Sequence, residues 1–260
     1  MPKFAANLTM MFNESQFLDR FAAANEAGFK GVEYLFPYDY PVDQLIEKLE
    51  KHNLEQVLHN LPAGDWDNGE RGIACHPNRQ TEFQEGVGKA IEYASALGCP
   101  QVNCLAGITP KGETSEKMLQ TFVSNLEFAA KQCEAVGIVL LIEPINTHDI
   151  PGFYLTNTTQ ALSVINEVSS SNVMLQYDVY HMQIMEGNLL STIRANLDLV
   201  RHIQIADNPG RNEPGTGEIN YPFLFDALDE LKYDGWIGCE YKPETTTIDG
   251  LGWAKDYLSL

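Results

Sequence analysis

The chain has 260 residues, of which 44% are hydrophobic, so it can bury a sizeable core. Its 17 lysine and arginine residues face 36 aspartate and glutamate residues, which gives a formal net charge of −19. Nucleic acid and anionic membranes repel such a protein, so neither is a predicted partner. The five cysteines form no CxxC pair, the N-terminus lacks the apolar segment of a signal peptide, and no apolar run approaches 18 residues. We therefore expect free thiols and a cytoplasmic protein without a membrane span.

Short apolar runs alternate with stretches of helical periodicity along the whole chain. The runs predict eight strands, at residues 4–8, 31–35, 55–59, 101–105, 138–143, 173–178, 202–206 and 236–240. Apolar residues at helical spacing predict helices around 17–24, 45–49, 87–97, 119–129, 161–168 and 224–231. Alternating strands and helices form parallel sheets, and eight such units favour closure. We predict an α/β fold in which residues 1–260 form one (β/α)8 TIM barrel, a fold of about 250 residues.

The connections after the predicted strands are longer than those after the helices. Loops of this kind carry the active sites of barrels. The longest, 60–80, contains Trp66, Glu70 and Arg71 and could act as a lid, with a flexible surface loop as the alternative. The chain lacks a GxSxG elbow, a Walker loop, an HExxH motif and a glycine-rich phosphate cradle after the last two strands. This favours a small unphosphorylated acid as the substrate and gives no support to a covalent serine mechanism.

Four polar side chains stand at the ends of predicted strands in the second half of the chain. They are Glu143, Asp178, Gln204 and Glu240, and they are 35, 26 and 36 residues apart, close to one strand–helix unit each. Successive strand ends converge on one face of a parallel barrel, so we expect the four to meet. Their oxygen atoms suit Mg²⁺ or Mn²⁺ better than Zn²⁺. The alternative is that each is an unrelated polar residue at the start of a loop.

Glu143 and Glu240 follow the fifth and eighth strands, so they are predicted to face each other across the mouth of the barrel. Two carboxylates on either side of a substrate suit proton transfer between adjacent carbons of a hydroxy-carbonyl compound. A divalent metal would stabilise the enediolate that forms. These two glutamates are therefore the predicted acid–base pair.

Four further residues are candidates for substrate binding. His181 follows Asp178 by three residues and could donate a hydrogen bond to a substrate oxygen. Arg211, in the loop after Gln204, could clamp a carboxylate. His59, at the end of the third predicted strand, and Lys242, two residues after Glu240, could face the same site. For each, an ordinary structural role at a strand exit or in a loop is the alternative.

Seven sequence motifs accompany these candidate residues. They are HNLPAGDW at 59–66, ERGIAC at 70–75, IEPIN at 142–146, QYDVYHM at 176–182, QIADNP at 204–209, EPGTGEINY at 213–221 and CEYKP at 239–243. Together they resemble the motifs of the hydroxypyruvate isomerase family, within the xylose isomerase-like group of metal-dependent TIM barrels. The resemblance extends over nearly the whole chain. It implies interconversion of hydroxypyruvate and tartronate semialdehyde, with the metal on the four strand-end residues given above. Several members of the wider group have histidine in place of Gln204, and glutamine makes the site less attractive to zinc.

Other functions fit parts of the same pattern. A 2-oxo-tetronate isomerase or a keto-sugar epimerase would use a similar site, and a non-catalytic barrel could bind a sugar acid. A DNA-repair endonuclease of this fold needs more histidines and a basic groove, which six histidines and a charge of −19 do not provide. We expect a small 2-oxo or hydroxy acid as the partner, with a homo-oligomer as an open alternative to a monomer.

Overall fold

A computed structural model describes residues 1–258 of the chain. Its eight parallel strands follow one another in chain order around a closed barrel, and the last strand pairs with the first. They are β1 (Lys3–Asn7), β2 (Gly31–Glu33), β3 (Glu55–Asn60), β4 (Gln101–Cys104), β5 (Val139–Ile142), β6 (Val173–Asp178), β7 (Val200–Ile205) and β8 (Trp236–Cys239). The predicted (β/α)8 TIM barrel is confirmed, and each strand begins and ends within two residues of its prediction.

Within the described residues, eight α-helices accompany the strands. They are α1 (Arg20–Glu26), α2 (Val42–His52), α3 (Gln80–Leu97), α4 (Ser115–Glu134), α5 (Thr158–Glu167), α6 (Val179–Met185), α7 (Leu189–Ala195) and α8 (Tyr221–Glu230). Short 3-10 helices span Phe17–Asp19, Pro77–Arg79 and Asp249–Ala254. Apolar periodicity predicts six of these helical regions, whereas α6 and α7 are additional. None of the helices in residues 1–258 has the length and apolar character needed to cross a membrane.

Successive strand residues point alternately outward to the helices and inward to the barrel axis. Outward residues such as Phe4, Val32 and Leu140 belong to the large apolar core beneath the helices. Near the strand starts, a small apolar cluster of Ala5, Val57, Leu58 and Leu141, with Val139, Met174 and Trp236 packed against it, is separate from that core. Towards the strand ends, the barrel contains hydrogen-bonded polar side chains instead. The barrel therefore has an apolar floor and a polar mouth.

The segment between β3 and α3 is anchored to the neighbouring strand end. The N–H of Cys75 donates to the carbonyl of Ala106, and Gly72 forms an isolated bridge with the same residue. At Gly72, φ is +106° and an added Cβ would lie 2.3 Å from the carbonyl oxygen of Leu105, so only glycine fits this close approach. All five cysteines are buried and unpaired, in agreement with the prediction of free thiols.

Candidate active site

Three acidic side chains meet at the carboxyl end of the barrel. Glu143 follows β5 directly, Asp178 is the last residue of β6, and Glu240 follows β8 directly. With His181 they present ligand atoms that all lie within 4.8 Å of one another, and all four residues are buried. Carboxylates at this separation repel one another unless a proton or a cation lies between them. The structure thus brings these predicted strand-end residues together.

The Glu143 carboxyl has one strong hydrogen bond and no adjacent cation. Its Oε2 accepts from Asn103 Nδ2 at 2.8 Å, and its Oε1 lies 4.0 Å from His181 Nε2. Burial raises the pKa of Glu143 well above its ordinary value, and the negative charges of Glu240 and Asp178 raise it further. Without a bound cation, this environment therefore favours the protonated form of Glu143 more strongly than water does.

The Glu240 carboxyl has more donors around it. Arg211 Nη2 donates to its Oε2 at 2.6 Å, while Asn7 Nδ2 and Gln204 Nε2 each lie 3.3 Å from its Oε1. Burial raises the pKa of Glu240 to about 8, although the Arg211 guanidinium acts in the opposite direction. A carboxyl with a pKa near neutrality can both accept and release a proton during turnover.

Asp178 presents a free carboxylate oxygen to the centre of the cluster. Its Oδ1 accepts the backbone N–H of His181 at 3.0 Å and so caps α6. Its Oδ2 is buried and accepts no hydrogen bond from residues 1–258. A buried carboxylate oxygen without a partner carries a large desolvation cost, which a cation would remove. The donor set around it therefore fits a divalent metal ion.

Gln204, the predicted amide ligand, points its nitrogen rather than its oxygen at the carboxylates. Nε2 donates to Glu33 Oε1 at 2.8 Å and lies 3.3 Å from Glu240 Oε1, while Oε1 accepts from Gln176 Nε2 at 2.6 Å. This orientation suits a cluster without a cation. Coordination through Oε1 requires a half-turn of the Gln204 amide. A matching half-turn of Gln176 would then let its Oε1, which is buried and has no partner within residues 1–258, accept the Gln204 nitrogen.

The tautomer of His181 follows from its contact with Asn146. The Asn146 Oδ1 accepts the backbone N–H groups of His148 and Asp149 at 3.0 and 2.7 Å, which fixes the orientation of the amide. Asn146 Nδ2 therefore donates to His181 Nδ1, at 2.7 Å. Burial lowers the pKa of His181 to about 4, so its single proton at neutral pH is on Nε2. That N–H points into the acidic cluster and lies 3.7 Å from Asp178 Oδ2.

This tautomer decides what His181 can do in the cluster. A nitrogen that carries a proton has no lone pair for a metal, so Nε2 acts as a hydrogen-bond donor. The predicted substrate-binding role of His181 is consistent with this geometry. In this tautomer, the side chains of the cluster that have lone pairs for a cation are the three carboxylates.

Arg211 and Lys242 lie beside Glu240 on adjoining segments. The Arg211 guanidinium also contacts Asp149 Oδ2, at 3.3 Å, and lies over the Tyr180 ring at 5.1 Å. The backbone N–H of Lys242 donates to the Arg211 carbonyl at 2.9 Å. Both residues line the main cavity, where Arg211 is partly buried and Lys242 is exposed.

His59 is not brought into the cavity. Strand β3 extends to Asn60, so the side chain that turns inward at the strand end is Asn60, which lines the cavity. His59 instead contacts Gln56 through Nδ1 at 3.1 Å and packs edge-on against the Tyr38 ring. Burial lowers its pKa to about 4. Because successive strand residues face opposite sides, an error of one residue in the strand end changes the predicted face.

Three polar residues of the first half of the barrel complete the site and are not among the predicted ones. Asn7 and Glu33 end β1 and β2, and Asn103 lies in β4. Glu33 is 1% exposed and accepts hydrogen bonds from Asn7 and Gln204, with the His202 ring nitrogen 2.7 Å away. A polar residue at the end of a strand, the signal used for the second half, could have found Asn7 and Glu33, whereas Asn103 lies one residue before the end of β4.

A cavity of about 1120 Å³ opens above the cluster. Its wall includes Glu143, His181 and Glu240 at the bottom, and Trp66 and Arg71 from the segment that precedes α3. Residues of the long loop therefore form part of the cavity wall, while its action as a lid stays a prediction. The volume is sufficient for a small organic acid.

The fold and the acidic cluster at the strand ends define a TIM barrel with a candidate metal site at the carboxyl end of its strands. A profile of the xylose isomerase-like TIM barrel family matches residues 21–257, and the chain belongs to this family.

Particular relatives are similar over almost their full lengths. The hydroxypyruvate isomerase of Escherichia coli (strain K12) is 55% identical over 257 residues, which cover 99% of this chain and 100% of that protein. A 2-oxo-tetronate isomerase of Cupriavidus necator is 46% identical, with 99% of each chain covered. A solved structure titled AP endonuclease, family 2, from Brucella melitensis superposes with a TM-score of 0.97 at 45% identity and covers 99% of this chain and 100% of that one.

Proposed function

We propose that the chain is an isomerase that interconverts hydroxypyruvate and tartronate semialdehyde (2-hydroxy-3-oxopropanoate) through an enediolate. The observation that carries the proposal is the pair of buried carboxyls, Glu143 and Glu240, in one cavity with raised pKa values. Two such groups can remove a proton from one carbon and return one to the next. The 55% identity to the hydroxypyruvate isomerase of Escherichia coli supports this substrate.

The proposed cofactor is Mg²⁺ or Mn²⁺, held by Glu143, Asp178, Gln204 and Glu240. Oxygen donors favour these ions over zinc, and the unpartnered Oδ2 of Asp178 supports a cation at this point. When bound, the ion would supply the positive charge that stabilises the enediolate and offsets the acidic cluster.

The proton transfers are assigned to the two glutamates. One carboxylate removes a proton from C3 of hydroxypyruvate, which leaves the electron pair in the enediolate. The other, in its protonated form, delivers a proton to C2, while the hydroxyl proton of the C3 oxygen passes to the C2 oxygen, so that the C3 oxygen becomes the aldehyde oxygen and the C2 oxygen becomes the hydroxyl. The pKa of Glu240, about 8, allows this exchange of roles near neutral pH. No net proton is gained or lost by the substrate.

Three neighbouring groups are proposed to bind the substrate. His181 would donate its Nε2–H to a substrate oxygen, because its tautomer directs that hydrogen into the cavity. Arg211 and Lys242 would attract an acid to this side of the cavity through their positive charges. We do not assign His59 to this group, since it does not line the cavity.

A second candidate is the isomerisation of four-carbon 2-oxo acids. Three relatives named 2-oxo-tetronate isomerase are 45% to 46% identical to this chain over nearly its whole length. A cavity of about 1120 Å³ also has room for one more hydroxymethylene group. The same pair of glutamates would serve this reaction.

Epimerisation of keto-sugars and cleavage of DNA have less support. The solved epimerases that superpose on the chain are 18% to 23% identical and show the fold alone. The Brucella melitensis structure carries an endonuclease title, but a net charge of −19 opposes binding of a polyanion to this chain.

The proposal is tested by steady-state kinetics of metal-reconstituted protein with hydroxypyruvate, 2-oxo-tetronate and a keto-sugar. We expect kcat/KM to be highest for hydroxypyruvate. Glu143→Gln and Glu240→Gln are expected to lower kcat by about 10²–10⁴-fold with the fold retained. Glu85→Gln, at an exposed position of α3, is the matched control and keeps full activity. A higher kcat/KM for 2-oxo-tetronate would change the assigned substrate from the three-carbon to the four-carbon acid. An unchanged kcat in Glu143→Gln and Glu240→Gln would refute the acid–base pair.

A further inference from the structure

One positive charge in the cavity wall is held in place without being neutralised. Arg71 lines the cavity, and its Nη1 donates to the backbone carbonyls of Trp66 and Glu70 at 2.9 and 2.6 Å. Its guanidinium also stacks on the Trp66 ring at 4.0 Å. No carboxylate of residues 1–258 forms an ion pair with it.

The other arginines near the cavity are already engaged. Arg211 is paired with Glu240 and Asp149, so much of its charge compensates the acidic cluster. Arg79, on the same segment as Arg71, is paired with Glu70 and Glu82. An entering anion would have to compete with these carboxylates, whereas at Arg71 it meets only solvent.

The backbone on both sides of Arg71 is fixed before any ligand arrives. The N–H of Gly72 donates to the carbonyl of Ala63 at 2.9 Å, and Gly72 packs on the carbonyl of Leu105 at the end of the neighbouring strand. On the other side, the Glu70 carboxylate accepts the N–H of Asp65 and pairs with Arg79. A preformed loop loses little conformational entropy on binding, which favours affinity.

The free edge of the guanidinium has the shape that a carboxylate requires. Because Nη1 makes both backbone contacts, Nε and Nη2 have no hydrogen-bond partner within residues 1–258. Two parallel N–H groups on one edge bind a carboxylate in bidentate fashion. Lys242 also lines the cavity, but it is exposed and offers a point charge without this geometry.

We infer that Arg71 is a specificity-determining residue that binds the carboxylate of the substrate and thereby selects 2-oxo acids over neutral keto-sugars. The inference rests on the proposed function, since it assigns the acid group of that substrate to a particular side chain. Arg71 holds the end of the substrate that does not react, while the acidic cluster acts on the hydroxy-carbonyl end. The long loop then contributes a recognition group as well as a wall.

The test compares an acid with a neutral analogue of the same size. Hydroxypyruvate and dihydroxyacetone share the hydroxy-carbonyl unit and differ in having a carboxylate or a hydroxymethyl group. We would measure the Kd of each by calorimetry, and the KM and kcat for hydroxypyruvate, in wild type, Arg71→Met and Arg71→Lys. Arg194→Met, at an exposed position of α7 outside the cavity, removes the same charge and is the matched control.

We expect Arg71→Met to weaken hydroxypyruvate binding and raise its KM by about 10- to 100-fold. The affinities for dihydroxyacetone and for Mn²⁺ should stay within about twofold of the wild type. The melting temperature should stay within a few degrees of the wild type. The hydroxypyruvate affinity of Arg71→Lys should lie between those of the wild type and Arg71→Met, because the charge remains and the bidentate geometry is lost.

Two results would overturn the inference. Unchanged hydroxypyruvate affinity in Arg71→Met would show that the carboxylate binds elsewhere, and an equal loss for both ligands would show a merely structural role. Failure of the proposed function is a separate outcome: the wild type would then not isomerise hydroxypyruvate. The calorimetric comparison would still decide whether Arg71 binds the carboxylate.

Discussion

Replacement of Glu143 by glutamine is expected to stabilise the metal-free protein at neutral pH. Burial beside Glu240 and Asp178 raises the pKa of Glu143 well above 4.5, whereas the same carboxyl ionises freely in the unfolded chain. The folded protein must therefore keep a proton that the solution would otherwise remove. Glutamine has the same shape, can still accept the hydrogen bond of Asn103, and has no charge to suppress.

The sign and size of the effect follow from proton linkage. Because the folded pKa lies above the unfolded one, the folded state binds more protons, and stability falls as pH rises from about 4.5 towards the folded value. Each pH unit in this window costs about 1.4 kcal/mol. Within this window, each pH unit should therefore widen the stability advantage of Glu143→Gln over the wild type by about 1.4 kcal/mol. For a chain of this length, each such step is roughly 3–5 °C in melting temperature.

The assay is urea unfolding of chelator-treated protein, followed by circular dichroism at pH 5, 6, 7 and 8. Glu85→Gln is the control, and its curve should parallel that of the wild type because the side chain is exposed. Excess Mn²⁺ should reverse the order of wild type and Glu143→Gln, because only the wild type has the full set of carboxylates. Equal pH dependence of the two metal-free proteins would refute the reasoning.

Three further predictions concern the neighbours of the cluster. Asn146→Asp should move the ring proton of His181 to Nδ1, which ¹⁵N NMR detects; a proton that stays on Nε2 alone would contradict the hydrogen-bond assignment. Gln176→Leu should weaken Mn²⁺ binding by about tenfold in calorimetry, since the rotated amide of Gln204 loses its acceptor; unchanged affinity would exclude the rotation. Mn²⁺ affinity should rise from pH 6 to 8, with proton release, because the pKa of Glu240 is about 8; a flat profile would contradict it.

Most of the fold follows from apolar periodicity. The buried strands of a barrel appear as short apolar runs, whereas its helices appear as apolar residues three or four positions apart. Helices α6 and α7 do not follow from it. The first four residues of α6, Val179 to Met182, are all buried, so this helix has no polar face there to reveal its period. Helix α7 has seven residues and one buried position, Ile193, which is too little for a stripe.

The site is predicted in part, for a geometric reason. Strand-end positions identify Glu143, Asp178 and Glu240, because the barrel brings all strand ends to one face. The face of a given side chain depends on the last residue of its strand, and this is why Asn60, rather than the predicted His59, lines the cavity. The tautomer of His181 depends on its hydrogen bond with Asn146, a contact between different segments that sequence spacing does not predict.

The most direct test of the central claim is proton NMR of hydroxypyruvate in D₂O with chelator-treated protein, before and after the addition of Mg²⁺ or Mn²⁺. The account predicts that tartronate semialdehyde appears only with the metal and carries deuterium at C2, because the carboxyls of Glu143 and Glu240 exchange with solvent. Metal-dependent product without solvent deuterium would indicate a hydride shift or a proton transfer shielded from solvent, and would contradict transfer by two solvent-exchanging carboxyls.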